Sequence, residues 1–303
     1  MTQLDPDPYL AVRQSAGAPW PGPRGPRIDL RAGSLGASIY PLDGCRLTSF
    51  TVGDDELIRQ RTPGRGAFEY GSFPMVPWVG RVRDGILAVD GKEHHLPVNL
   101  PPFSLHGMAF FAPWTTVDVS PTTATFAFTL TDPWPWPGRV TQRFELTPEA
   151  LETSLTVKTD GPPFPGGAGW HPWFTAWTGT SRQVAEARVG APADELVIEF
   201  SADSQEERGD DGLPTGRRVP QQPRPWDDAF VFDSGVRATL TWPRRVELEM
   251  TSPATSLVVY TTEPDAVCVE PQTGPPNGVN THPRKVTSDD PLTTNTRWAP
   301  RPL

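Results

Sequence analysis

Residues 123–157 read TATFAFTLTDPWPWPGRVTQRFELTPEALETSLTV. Three runs in this stretch alternate. Thr123 to Leu130 sets Ala124, Phe126, Phe128 and Leu130 on one face. Arg139 to Leu146 does the same with Val140, Gln142, Phe144 and Leu146, and Leu151 to Val157 with Leu151, Thr153, Leu155 and Val157. A period of two, carried by aromatic and β-branched residues, marks half-buried strands. The segments between the runs, TDPWPWPG and TPEA, carry turn chemistry.

Working outward, the same pattern recurs at Glu195 to Phe200, Val236 to Thr241, Val246 to Met250, Ser256 to Thr262 and Ala266 to Glu270. No window of eleven or more residues shows the i, i+3, i+4, i+7 stripe of a helix. Among 303 residues there are 38 Pro and 27 Gly. Proline breaks helices and marks turns, while 11 Trp and 14 Phe are too many for a disordered chain. The reading is all-β: a large antiparallel β-sandwich. Residues 1–26 form a Pro/Gly-rich arm, and residues 27–303, without internal repeat or linker, form a single domain. Ser201 to Arg224 is polar and reads as a long loop. The tail from Thr287 has turn chemistry and no clear strand.

The formal net charge is −9, which argues against a nucleic-acid binder, since that needs a basic face. No apolar run approaches the ~18 residues of a membrane helix, and mean hydropathy is −0.42. The N-terminus lacks the basic and apolar blocks of a secretory signal. Two cysteines, Cys45 and Cys268, make neither a disulfide framework nor a Cys-rich metal site. These observations describe a cytoplasmic protein, free of membrane and nucleic acid, acting as monomer or homodimer.

Chemistry concentrates in a few islands. His106 lies in Leu105-His106-Gly107, and His171 lies among large aromatics in Gly169-Trp170-His171-Pro172-Trp173-Phe174. Each is either a core histidine satisfied by backbone or a general acid/base whose pKa lies near working pH. Glu270 ends the apolar run Val267-Cys268-Val269. It is either the first exposed residue after a strand or a carboxylate held at the rim of a sheet with a raised pKa. Arg81, in Pro77-Trp78-Val79-Gly80-Arg81, either stacks on Trp78 or offers its donor fork to a polar ligand. Asp227, beside Trp226, either caps a turn or accepts bonds from vicinal hydroxyls.

His94 and His95 are adjacent and point to opposite faces of a strand, and no other set has metal-ligand spacing. No nucleophile elbow, phosphate loop or dinucleotide fingerprint is present. The three lysines, Lys92, Lys158 and Lys285, lie outside apolar runs, which argues against a Schiff base. Neither metal nor cofactor is expected.

Taken in order, these islands resemble the aldose 1-epimerase (galactose mutarotase) family, from about Leu35 to Asn280. The resemblance is carried by Pro77-Trp78-x-x-Arg81-x-Arg83-Asp84-Gly85, Leu105-His106-Gly107, Asp132-Pro133-Trp134-Pro135, His171-Pro172-Trp173-Phe174, Asp227-Asp228-Ala229-Phe230 and Glu270-Pro271-Gln272-Thr273-Gly274-Pro275-Pro276-Asn277. It implies a mutarotase-like β-sandwich, no cofactor, and interconversion of the α and β anomers of a free hexose. His171 falls on the family's general acid, Glu270 on its general base, and Arg81, His106 and Asp227 on its substrate-binding positions. Two departures stand out. Gly80 replaces the family's usual Asn, which implies extra room and altered sugar preference, toward glucose-configured or anionic hexoses over galactose. No glycine-containing motif follows Pro283. The alternatives are a 1-epimerase of a hexose 6-phosphate or other anionic hexose, which needs a basic cluster, and a non-catalytic carbohydrate-binding protein.

Overall fold

A computed structural model describes residues 20, 22, 25–179 and 195–303. Among them, eleven strands form one antiparallel sheet. Its order is Ile28–Ala32, Leu35–Tyr40, Arg46–Val52, Ser72–Met75, Gly169–Thr175, Ala266–Gln272, Ser256–Tyr260, Asp227–Val231, Ser204–Arg208 and Pro214–Val219, with Asp55–Glu56 paired to Arg46–Val52. Eight strands form a second sheet, in the order Thr115–Val119, Thr123–Leu130, Gly138–Leu146, Leu151–Thr159, Leu292–Pro302, Val246–Ser252, Val236–Trp242 and Val197–Phe200. Helix among the described residues amounts to short 3-10 turns and the four-residue Gly278–Thr281. No helix there is long and apolar enough to cross a membrane.

The two sheets pack face to face. Trp298 of the smaller sheet meets Phe50 and Phe174 of the larger at ring separations of 5.7 and 5.0 Å. The indole N–H of Trp242 donates across the gap to the Thr175 carbonyl at 2.8 Å. The alternation read from residues 123–157 is realised: Ala124, Phe126, Val140, Phe144, Leu151, Leu155 and Val157 are buried. Gln142 shares that face, and its amide donates to the Cys45 carbonyl at 2.9 Å. Ten of the eleven tryptophans are buried.

Two expectations are corrected. Ser201 to Arg224 is not a loop: Ser204–Arg208 and Pro214–Val219 form a hairpin at the edge of the large sheet. Pro214–Val219 is largely exposed, and Ser204–Arg208 buries only the polar Gln205 and Glu206, so backbone pairing rather than apolar alternation holds them. The tail is not strandless either. Leu292–Pro302 is an eleven-residue strand between Leu151–Thr159 and Val246–Ser252. Its inward positions are Leu292, Thr294, Thr296 and Trp298, and the two threonines hide the apolar alternation. Most of the expected arm lies outside the described residues; within it, Trp20 is buried and donates to Asp43 at 2.9 Å and to the Tyr70 hydroxyl at 3.2 Å.

Candidate active site

Strand Gly169–Thr175 has both faces covered and is buried along nearly its whole length. Phe174 points into the sandwich against Trp298. By the two-residue period, His171 and Trp173 point to the opposite, outer face. There His171 lies opposite Phe73 of the neighbouring strand and stacks on it at 4.7 Å. On its other side the strand pairs with Ala266–Gln272, with Trp173 opposite Cys268. Cys268, Glu270 and Gln272 therefore share the outer face with His171.

A two-stranded ladder lies against this face. Arg81–Val82 pairs with Ser104–Leu105, and His106 follows immediately. His106 has φ +62° and Gly107 φ +75°, the left-handed region that glycine adopts freely and other residues rarely. The turn lets the His106 N–H donate to the Gly80 carbonyl at 2.9 Å and the Met108 N–H to the Val76 carbonyl at 2.9 Å. A Cβ at Gly107 would lie 2.1 Å from the Val76 oxygen, so the position admits only glycine.

All five residues singled out in the sequence come together. Arg81, His106, His171, Asp227 and Glu270 line one cavity of about 250 Å³ with Phe68, Trp173, Tyr260 and others. Nε2 of His171 lies 3.3 Å from Oε1 of Glu270. The His106 and His171 rings meet edge to face at 4.8 Å. Arg81 Nη2 reaches Asp227 Oδ2 at 3.3 Å. Both catalytic candidates are almost sealed from solvent, at 7% and 2% exposure for His171 and Glu270.

Burial sets the protonation of these groups. It pushes the Glu270 carboxyl well above the usual range, helped by the Asp227 charge and opposed by Arg81. It lowers His171 to about 3, with the Arg46 and Arg81 charges acting in the same direction. His106 is also held well below the ordinary range by burial, then by His171 and Arg81. Burial thus favours the neutral form of each group, protonated for Glu270 and unprotonated for the two histidines. Oε2 of Glu270 and Nδ1 of both histidines find no hydrogen-bond partner among the described residues.

Other neighbours of the site were given no role in the sequence reading. Arg208, from the hairpin read as a loop, donates to Asp227 Oδ2 at 2.7 Å. Arg46 is fully buried, bridges to Asp43 at 3.3 Å and lies 4.7 Å from the Phe73 ring on which His171 stacks. Asn277 pins the Arg81 segment: its N–H donates to the Arg81 carbonyl at 2.7 Å, and its Oδ1 accepts from the Arg83 N–H at 3.3 Å. The room expected beside Gly80 is taken. Gly80 has φ +59°, and a Cβ there would lie 3.0 Å from Cα of Pro276. Arg83 turns away to pair with Asp211. His94 packs against Trp136 at 4.7 Å. The expectation of no ligand set also needs amendment. His171, Cys268 and Glu270 place one potential ligand atom each within 4.8 Å of one another. Strand pairing, invisible to spacing along the chain, brings them together.

A family model described as aldose 1-epimerase matches residues 26–295. The Escherichia coli protein YphB is 26% identical over 264 residues, covering 82% of this chain and 88% of its own. Two crystal structures share the fold. A galactose mutarotase-like protein from Clostridium acetobutylicum gives a TM-score of 0.77 at 16% identity, covering 91% of this chain and 95% of its own. The galactose 1-epimerase of Lactobacillus acidophilus gives 0.72 at 18% identity, covering 91% and 94%.

Proposed function

The chain belongs to the aldose 1-epimerase family, and from that premise we propose that it interconverts the α and β anomers of a free, neutral hexose. The observation that carries this reading is the 3.3 Å contact between Nε2 of His171 and Oε1 of Glu270 in a cavity lined by Arg81, His106 and Asp227. Opening a pyranose removes a proton from the C1 hydroxyl and delivers one to the ring oxygen. Those two oxygens are bonded to the same carbon, so the base and acid serving them must be close neighbours.

Glu270 takes the hydroxyl proton and His171 gives one to the ring oxygen, so the C1–O5 bond breaks and an aldehyde forms. Rotation about C1–C2 presents its other face. His171 then takes the C5 hydroxyl proton as that oxygen attacks C1, and Glu270 returns its proton to O1. The pair holds one proton throughout. Its two arrangements, proton on imidazole and proton on carboxyl, serve the closed and open sugar in turn. Each transfer contributes roughly 10²- to 10⁴-fold. Arg81 and His106 hold hydroxyls and steady charge on oxygen. Asp227, fixed by Arg81 and Arg208, accepts from sugar hydroxyls.

The charge of the lining supports a neutral substrate. Glu69, Asp227 and Glu263 face the cavity together with a single arginine, Arg81, while the His171–Glu270 pair with its one proton is neutral overall. Arg81 and Arg208 are both turned to Asp227, so neither is a spare cation for a phosphate or sulfonate. Polarimetry tests this directly. Freshly dissolved α-glucose or α-galactose should reach equilibrium rotation faster with the protein. A hexose 6-phosphate should turn over at least ~10-fold less efficiently, since like charges at a contact cost several kcal/mol. Preference for the phosphate would refute the neutral-sugar reading, and inertness toward all of them would favour a binding protein.

A further inference from the structure

One buried group lies next to the His171–Glu270 pair without lining the cavity or taking part in the proposed mechanism. Cys268 is fully buried on the same strand face as Glu270, two residues away. It lies opposite Trp173, two residues from His171 on the adjoining strand. The ligand atoms of His171, Cys268 and Glu270 lie within 4.8 Å of one another, all three residues being buried. Imidazole, thiolate and carboxylate are the three protein ligand types of zinc, and a set of three with a fourth position open to a cavity is the usual arrangement of accessible zinc sites. The 3.3 Å separation of Nε2 and Oε1 already approximates the edge between two ligands that each sit ~2 Å from one zinc ion.

We propose that His171, Cys268 and Glu270 form an inhibitory site for a soft divalent cation of the zinc type at the floor of the sugar cavity. The ion would enter through the cavity that the sugar uses and leave its fourth position facing that cavity. Binding displaces the thiol proton and the one proton of the His–Glu pair, so two protons leave as the three metal bonds form. No electron moves. The lone pairs that transfer protons are then occupied by metal, so ion and sugar exclude each other. A hard cation such as magnesium, which favours oxygen ligands, finds no comparable set here.

The test has a binding arm and an activity arm. In the binding arm, Co²⁺ replaces zinc as a coloured probe of the full chain, and thiolate-to-cobalt charge-transfer absorption is recorded. The wild type should show that absorption, Cys45→Ala should keep it, and Cys268→Ala and Cys268→Ser should lose it. This arm reads the site whether or not the protein is a mutarotase, so its failure is distinct from failure of the proposed function. The activity arm rests on that function. Zn²⁺ should inhibit anomer exchange competitively with sugar, and Cys268→Ala should exchange anomers normally while needing at least roughly 10-fold more Zn²⁺, since loss even of a ligand's outer partner costs that much affinity. Cys268→Ser is the second variant should the alanine fail to fold. Absence of thiolate–cobalt absorption in the wild type would overturn the proposal. So would equal Zn²⁺ inhibition of the wild type and a folded Cys268 variant, which would put the ion elsewhere.

Discussion

In the proposed reaction, two side chains and one proton are the core of the chemistry. Burial drives Glu270 above the ordinary carboxylate range and His171 down to about 3. The pair is competent while it holds one proton. It loses competence when both groups are protonated, at low pH, and when both are bare, at high pH. The pH profile of kcat/KM should therefore be a broad bell whose two apparent values belong to the pair. Its acid limb should lie below the ordinary histidine range and its alkaline limb above the ordinary carboxylate range. An acid limb that rises only near pH ~6.5, the value of a free imidazole, would contradict this. The same shifts act on stability with opposite signs. Above pH 4.5, unfolded Glu270 has released its proton while the native carboxyl keeps it, so this group makes stability fall as pH rises. Below pH 6.5, unfolded His171 binds a proton that the native imidazole refuses down to about 3, so this group makes stability fall as pH drops. Melting curves of Glu270→Gln should thus lose part of the wild type's decline toward alkaline pH, and those of His171→Asn part of the decline toward acid. Unchanged slopes would mean that these groups titrate normally.

Turns and strand edges hold these side chains where they act. Gly107→Ala puts a methyl 2.1 Å from a backbone oxygen at φ +75° and should cost at least ~2 kcal/mol of stability. Gly91→Ala, at φ +75° with nothing within 4 Å, should cost only the left-handed strain of about 1 kcal/mol. Equal melting shifts would remove the argument that close approach fixes the His106 turn. Arg208→Gln loosens Asp227 and should raise KM several-fold while leaving kcat nearly unchanged; a fall in kcat alone would assign Arg208 another role. The strands read from residues 123–157 were legible because one face is apolar and the other polar. Gly169–Thr175, the strand of His171, was not, since both its faces are covered and nothing alternates. Ser204–Arg208 escaped for the opposite reason, being polar on both faces, and Arg208 escaped with it. His171, Glu270, Arg81, His106 and Asp227 were legible through motif resemblance, because each sits in a short segment of unusual composition. Cys268 as a neighbour of His171 was not, since pairing between distant strands creates that contact.

At the scale of the whole molecule, one sandwich face is dry and carries stability, while the outer face of the larger sheet carries the cavity. The five candidate residues come from five segments: Arg81–Val82, the turn after Leu105, Gly169–Thr175, Asp227–Val231 and Ala266–Gln272. The loop 273–277 ties the strand of Glu270 to the segment of Arg81 through Asn277 and Pro276, so Glu270 and Arg81 are positioned together. The most direct test of the account measures anomer exchange of glucose and galactose by magnetisation-transfer NMR, on wild type, His171→Asn and Glu270→Gln, with a melting curve for each. The account expects exchange above the spontaneous rate in the wild type and a loss of at least ~10²-fold in each variant, with cooperative unfolding retained. A folded variant of either kind that exchanges anomers at close to the wild-type rate would contradict the assignment of the His171–Glu270 pair.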